Sequence, residues 1–83
     1  GAVIRTFSGH TYKLNAVAFS PDATQVITGS DDNTVRIFDT ATGTVLQIFR
    51  EHNNAVTSVA FSPDGVQALT GADDGTALLW TPD

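Results

Sequence analysis

The chain has 83 residues, no cysteine, and nine acidic against four basic side chains, for a net charge of −5. That excludes a disulfide framework, a thiolate metal site and a nucleophilic thiol, and the acidic balance works against binding to phosphate backbones. No apolar run approaches a membrane span, and there is no basic-then-apolar start of a signal peptide.

A unit this short buries a modest share of its surface and is marginal without staples. The sequence opens on Gly1 and holds no methionine, so it is expected to be a processed or excised piece, with Gly1 a tag remnant. The acidic, cysteine-free composition is compatible with a cytoplasmic location.

Residues 2–7 (AVIRTF) are short and β-branched and read as a strand. Residues 8–11 turn, and 14–20 (LNAVAFS) form the next strand, closed by Pro21-Asp22, where proline presets φ at the first corner. Residues 25–28 (QVIT) are a third strand, 29–33 a tight connection, and 34–39 (TVRIFD) a fourth. After a turn over 40–43 the cycle begins again. Strands are expected over 44–49, 56–62, 67–70 and 76–80, with turns at Glu51-His52, at 63–65 and at 71–75. Helical periodicity is absent, and the expected fold class is all-β.

The cycle is an in-phase repeat of 42 residues. His10 and His52, Phe19 and Phe61, Pro21 and Pro63, Gly29 and Gly71, Asp32 and Asp74 match, and 16 of 41 superposed positions are identical. A fixed period near 40 signals supersecondary units that cannot bury their faces alone. Several strands are apolar on consecutive positions (VAF, QVI, RIF, ALLW). A strand with one wet face alternates instead, so these are expected to be covered on both faces. One strand per ten residues or so agrees with four-stranded blades.

Gly9-His10 and His52, the two FSPD segments, TGSDDNTVRIFD and TGADDGTALLW, and Thr42-Gly43 together resemble the WD40 repeat, a family of β-propellers. The resemblance covers essentially the whole chain. Residues 1–41 supply an outer strand plus three inner strands of a first blade, and 43–83 supply that blade's outer strand plus three inner strands of a second. Three positions depart from the pattern. Glu51 replaces the glycine before histidine, Phe38 replaces the tryptophan, and Thr81 replaces the aspartate after Trp80, which Asp39 retains.

The resemblance implies a structural tetrad of His52, Thr70, Asp74 and Trp80. Its logic is a buried polar chain in which the carboxylate accepts from one imidazole nitrogen, the hydroxyl meets the other, and the indole donates to the hydroxyl. The first-repeat set is His10, Thr28, Asp32 and Phe38. Phenylalanine has no indole donor, so that network is one link shorter and the first blade is expected to be held less rigidly.

His52, Thr70 and Asp74, like His10, Ser30 and Asp32, have the residue types of a nucleophilic triad, but the structural reading explains them in both repeats, and no enzyme is expected. The Asp31-Asp32-Asn33 and Asp73-Asp74-Gly75 clusters lack the alternating spacing of a calcium loop and suit tight turns instead. No metal, cofactor, nucleic-acid or membrane partner is expected.

WD40 propellers serve as rigid platforms, and the resemblance assigns Lys13, Asn15, Asp31, Ala55, Thr57 and Asp73 to a partner-binding top face for a protein or peptide. Two blades cannot close a ring, so both ends leave unpaired edges. Head-to-tail association of copies is expected to complete one. Four copies giving eight blades come first, three giving six come next. The alternative function is a purely structural, self-assembling fragment, natural or engineered, with no partner of its own.

Overall fold

The computed structural model describes residues 3, 6–7, 12–50 and 52–82. Seven strands follow in chain order: β1 Leu14–Phe19, β2 Gln25–Ser30, β3 Val35–Asp39, β4 Val45–Phe49, β5 Val56–Phe61, β6 Ala68–Ala72 and β7 Ala77–Trp80. They form two antiparallel meanders, a four-stranded sheet β1-β2-β3-β4 and a three-stranded sheet β5-β6-β7. No helix occurs among the described residues. The strand expected over residues 2–7 lies largely outside them, as do His10 and Glu51.

The registers of the two sheets repeat. Val17 faces Thr28 as Val59 faces Thr70, and Val26 faces Phe38 as Ala68 faces Trp80. Both first strands carry an irregularity at the same place, between Leu14 and Ala16 and between Val56 and Ser58.

Local chemistry sets each reversal. In the Ser-Pro-Asp turns the Ser20 and Ser62 hydroxyls donate to Asp22 and Asp64 and accept from the Gln25 and Gln67 amides. The turn closes through a left-handed residue, Ala23 (φ 62°) in one copy and Gly65 (φ 74°) in the other. Only glycine takes that conformation without cost from a Cβ.

One expectation is corrected. The sequence placed turns from Gly29 and from Gly71, but β2 and β6 run on through Ser30 and Ala72, and the chain reverses over Asp31–Asn33 and Asp73–Gly75. Gly29 serves packing, because a Cβ there would stand 2.5 Å from Val56 Cγ1 in the second sheet.

The core lies between the sheets. Ile27, Val35 and Ile37 from the first pack with Val56 and Ala68 from the second, flanked by Ala18, Phe49, Val59, Phe61 and Trp80. Burial over consecutive positions is fullest in β2, where Val26 to Ser30 are all buried. It fails in β1 and β7, whose outward faces are open.

Candidate functional site

Beneath the second sheet lies a small buried polar centre. His52, in the turn after β4, is 5% exposed, and Thr70 in β6 is fully enclosed. His52 Nε2 and Thr70 Oγ1 are 2.7 Å apart, and Trp80 Nε1 donates to the same hydroxyl at 3.3 Å. Asp74 is arranged differently from the implied chain. One carboxylate oxygen accepts from the Thr76 amide and hydroxyl, and the other accepts from Asn54 Nδ2 at 3.1 Å. These bonds, the Thr76 hydroxyl foremost, hold its pKa below the usual carboxylate range, with a smaller contribution from the His52 charge.

Phe49 closes this centre. It stacks on Trp80 at a centroid distance of 4.1 Å and meets His52 edge-on at 6.1 Å. In the first repeat, Phe7 lies 5.3 Å from Phe38, the same pair 42 residues earlier. Thr28 is buried, and Asp32 accepts from the Thr34 amide and hydroxyl just as Asp74 does from Thr76. His10 is outside the described residues.

The six residues assigned to the top face sit at one end of the sheets. The Asp31 amide donates to Lys13 O and the Asp73 amide to Ala55 O, each at 3.0 Å. Asn15 Nδ2 donates to Asp31 Oδ1 at 2.7 Å and to Val56 O at 3.0 Å, so this side chain crosses between the sheets. Its counterpart Thr57 donates to Gly71 O. Lys13, Asp31, Thr57 and Asp73 are exposed. Among the described residues, no group of three or more His, Cys, Asp or Glu side chains is placed to hold a metal ion.

The WD40 family model, described as "WD domain, G-beta repeat", matches residues 1–39 and 43–81. The chain belongs to the WD40 repeat family. Its two antiparallel sheets, of four and three strands, are consistent with WD40 blades.

Among relatives, it is 50% identical over 40 residues to the guanine nucleotide-binding protein subunit beta of Oryza sativa subsp. indica, covering 48% of this chain and 10% of that protein. It is 49% identical over 43 residues to the vegetative incompatibility protein HET-E-1 of Podospora anserina, covering 52% of this chain and 3% of that one. A match to the periodic tryptophan protein 2 homolog of Dictyostelium discoideum is 46% identical over 35 residues, covering 42% of this chain and 4% of that protein. The chain thus spans about a tenth or less of the length of these relatives.

Sequence reasoning missed the two outward faces. Ile27 and Ile37, on the first blade's side of the junction, are 0% and 2% exposed, whereas their counterparts Leu69 and Leu79 are 48% and 63% exposed. Val59 and Phe61 pack on the core from the other side, whereas Val17 and Phe19 are 62% and 65% exposed. Each end of the blade pair therefore displays one half of the junction found in the middle. The signal was present in the repeat alignment, which pairs these residues position by position.

Proposed function

We propose that the chain is a non-enzymatic WD40 unit that works as a rigid protein-interaction scaffold and joins copies of itself head to tail into a closed ring. The observation that carries this reading is the pair of half-junctions. The Leu69 and Leu79 face of one copy matches the Val17 and Phe19 face of another as Ile27 and Ile37 match Val59 and Phe61 within the chain. Such a contact is heterologous and forms a ring when its rotation closes. The free edge of β7 is the counterpart of the β3 edge that pairs with β4. Residues 2–7 of the next copy, which align with β4 in the repeat, would fill it.

Burial argues against catalysis. The Thr70 hydroxyl is enclosed and bonded to Trp80 and His52, which leaves no approach for a substrate. A protein or peptide would instead meet the rim of Lys13, Asn15, Asp31, Ala55, Thr57 and Asp73, which is mostly polar and carries two carboxylates against one ammonium.

Light scattering after gel filtration tests the assembly. Four 8.7 kDa copies weigh about 35 kDa and three about 26 kDa. The eight-bladed tetramer is the expected species, and a folded monomer at all concentrations overturns the ring.

A purely structural role is the second reading. It is favoured by the rim itself, where Asn15 is committed to internal bonds and no aromatic or arginine anchor of an interface hot spot is present. Capture of a specific partner on the assembled chain, lost on substitution of Asp31 and Asp73, would decide for the platform.

A further inference from the structure

The chain's own blade junction is fastened at one rim by Asn15. Its amide nitrogen reaches Asp31 Oδ1 at 2.7 Å and Val56 O at 3.0 Å. A carboxylate and a carbonyl can only accept, so both amide protons are committed and the orientation of the amide follows from its partners. One bond stays within the first blade and the other crosses to the first residue of β5. The charged acceptor holds the amide in place, and the crossing bond is thereby preorganised.

The matching position in the second blade is Thr57. Its hydroxyl donates to Gly71 O at 3.4 Å, within its own sheet. The acceptor it would have to reach across a contact with another copy is Leu14 O, the counterpart of Val56 O. A threonine is shorter than asparagine and supplies one proton, not two. Asp73, the counterpart of Asp31, is in place and exposed, but the position that holds the Asn15 amide in the first blade holds the Thr57 hydroxyl here.

The apolar part of such a contact is fully provided. Phe7, Leu14, Val17, Phe19 and Val26 line a groove of about 280 Å³ on the first blade. Opposite, on the second blade, Leu69 and Leu79 stand exposed beside Gly71, where a Cβ would meet only the Ser58 side chain closely.

We propose that this groove seats the Leu69 and Leu79 face of a second copy, and that the seam so formed lacks the amide clip that locks the chain's own junction. The proposal rests on the self-association reading and adds its consequence. Seams and internal junctions alternate around the ring and differ in strength, so dilution opens the assembly at the seams and releases intact two-blade units.

Dilution followed by light scattering, with circular dichroism in parallel, tests this on the full chain. The wild type is expected to dissociate to 8.7 kDa units that keep their sheet spectrum. Thr57→Asn, at an exposed position, installs the missing clip and is expected to lower the dissociation midpoint by about fivefold per seam, the worth of one hydrogen bond. Leu79→Asp is expected to give folded monomers. The companion variant Asn15→Thr makes the internal junction resemble the seam and is expected to lower the melting temperature of the diluted unit.

A wild type that assembles while Thr57→Asn leaves the midpoint unchanged overturns the clip, as does an Asn15→Thr unit that melts like the wild type. A Leu79→Asp chain that assembles normally overturns the seat. A wild type that is a folded monomer at every concentration overturns self-association itself.

Discussion

Gly29 packs against Val56 across the junction between the two blades, in a space that admits no side chain. A Cβ on Gly29 would stand 2.5 Å from Val56 Cγ1 and 3.1 Å from Val59 Cγ1, both on the facing strand. β-branched side chains have few rotamers with which to give way. Gly29→Ala is therefore expected to destabilise the chain by about 2 kcal/mol through overpacking. Urea denaturation checks it, and adding Val56→Ala is expected to recover part of the loss. If the alanine at 29 costs nothing, the junction is looser than its geometry implies.

Ala23 invites the opposite substitution. It holds a left-handed φ of 62° where Gly65 occupies the second turn with φ 74°. Ala23→Gly relieves the Cβ and is expected to stabilise by about 0.5 kcal/mol, the gain being reduced by the larger entropy of glycine in the unfolded chain. A thermal melt reads it directly, and a lower melting temperature would contradict the assignment of strain to this turn.

His52 separates a structural centre from a catalytic one. Its removal leaves the enclosed Thr70 hydroxyl without its 2.7 Å partner and opens space under Phe49. His52→Ala is expected to cost about 2 kcal/mol of stability, combining a lost hydrogen bond with a cavity. The expected sign in a melt is a lower midpoint. An unchanged midpoint would require His52 to be surplus to the fold.

Much of this was legible in the 42-residue repeat. In-phase matches of His52 with His10 and of Thr70 with Thr28 pointed to residues that meet Trp80 in the polar centre, and the Ser-Pro-Asp and Asp-Asp segments pointed to the reversals. The role of Gly29 was hidden, because a glycine after threonine looks like the start of a turn, and what it accommodates is a valine 27 positions away. The bonds of Asp74 were hidden for a related reason. Thr76 and Asn54 offer protons to the same carboxylate, and only geometry decides among several donors of the right type. The internal role of Asn15 was hidden as well, because the resemblance assigned it to the partner-binding face and nothing in its sequence neighbourhood reveals the Val56 carbonyl.

Acid is expected to loosen the turns before it reaches the core. The Thr24 amide, with the Ser20 and Thr24 hydroxyls, lowers the Asp22 pKa to about 2 from its ordinary 3.8. The Ser62 hydroxyl lowers that of Asp64, and the Thr76 hydroxyl that of Asp74. A carboxylate with a folded pKa below its unfolded value adds stability at pH above the unfolded value, and that stability is lost as pH falls through the folded one. The urea midpoint is therefore expected to fall between about pH 4 and pH 2. Asp22→Asn should flatten part of that slope, and an equally steep decline in the variant would place the linkage elsewhere.

Trp80 is the only tryptophan in the chain, which makes its partnership with Phe49 measurable by fluorescence. The rings are nearly parallel, with a 4° interplanar angle at 4.1 Å, and Phe49 comes from the outer strand of one blade while Trp80 belongs to the next. The pair thus couples the blades at the edge of the polar centre. Phe49→Leu keeps an apolar side chain but removes the stack, and is expected to shift the Trp80 emission towards the red as water gains access. A double-mutant cycle with Trp80→Phe is expected to give a coupling of about 1 kcal/mol, the usual worth of an aromatic pair beyond its buried area. Additive losses would mean that Phe49 merely fills space. A coupling of the expected size would make this aromatic contact a second fastening of the junction, independent of the hydrogen bond at Val56.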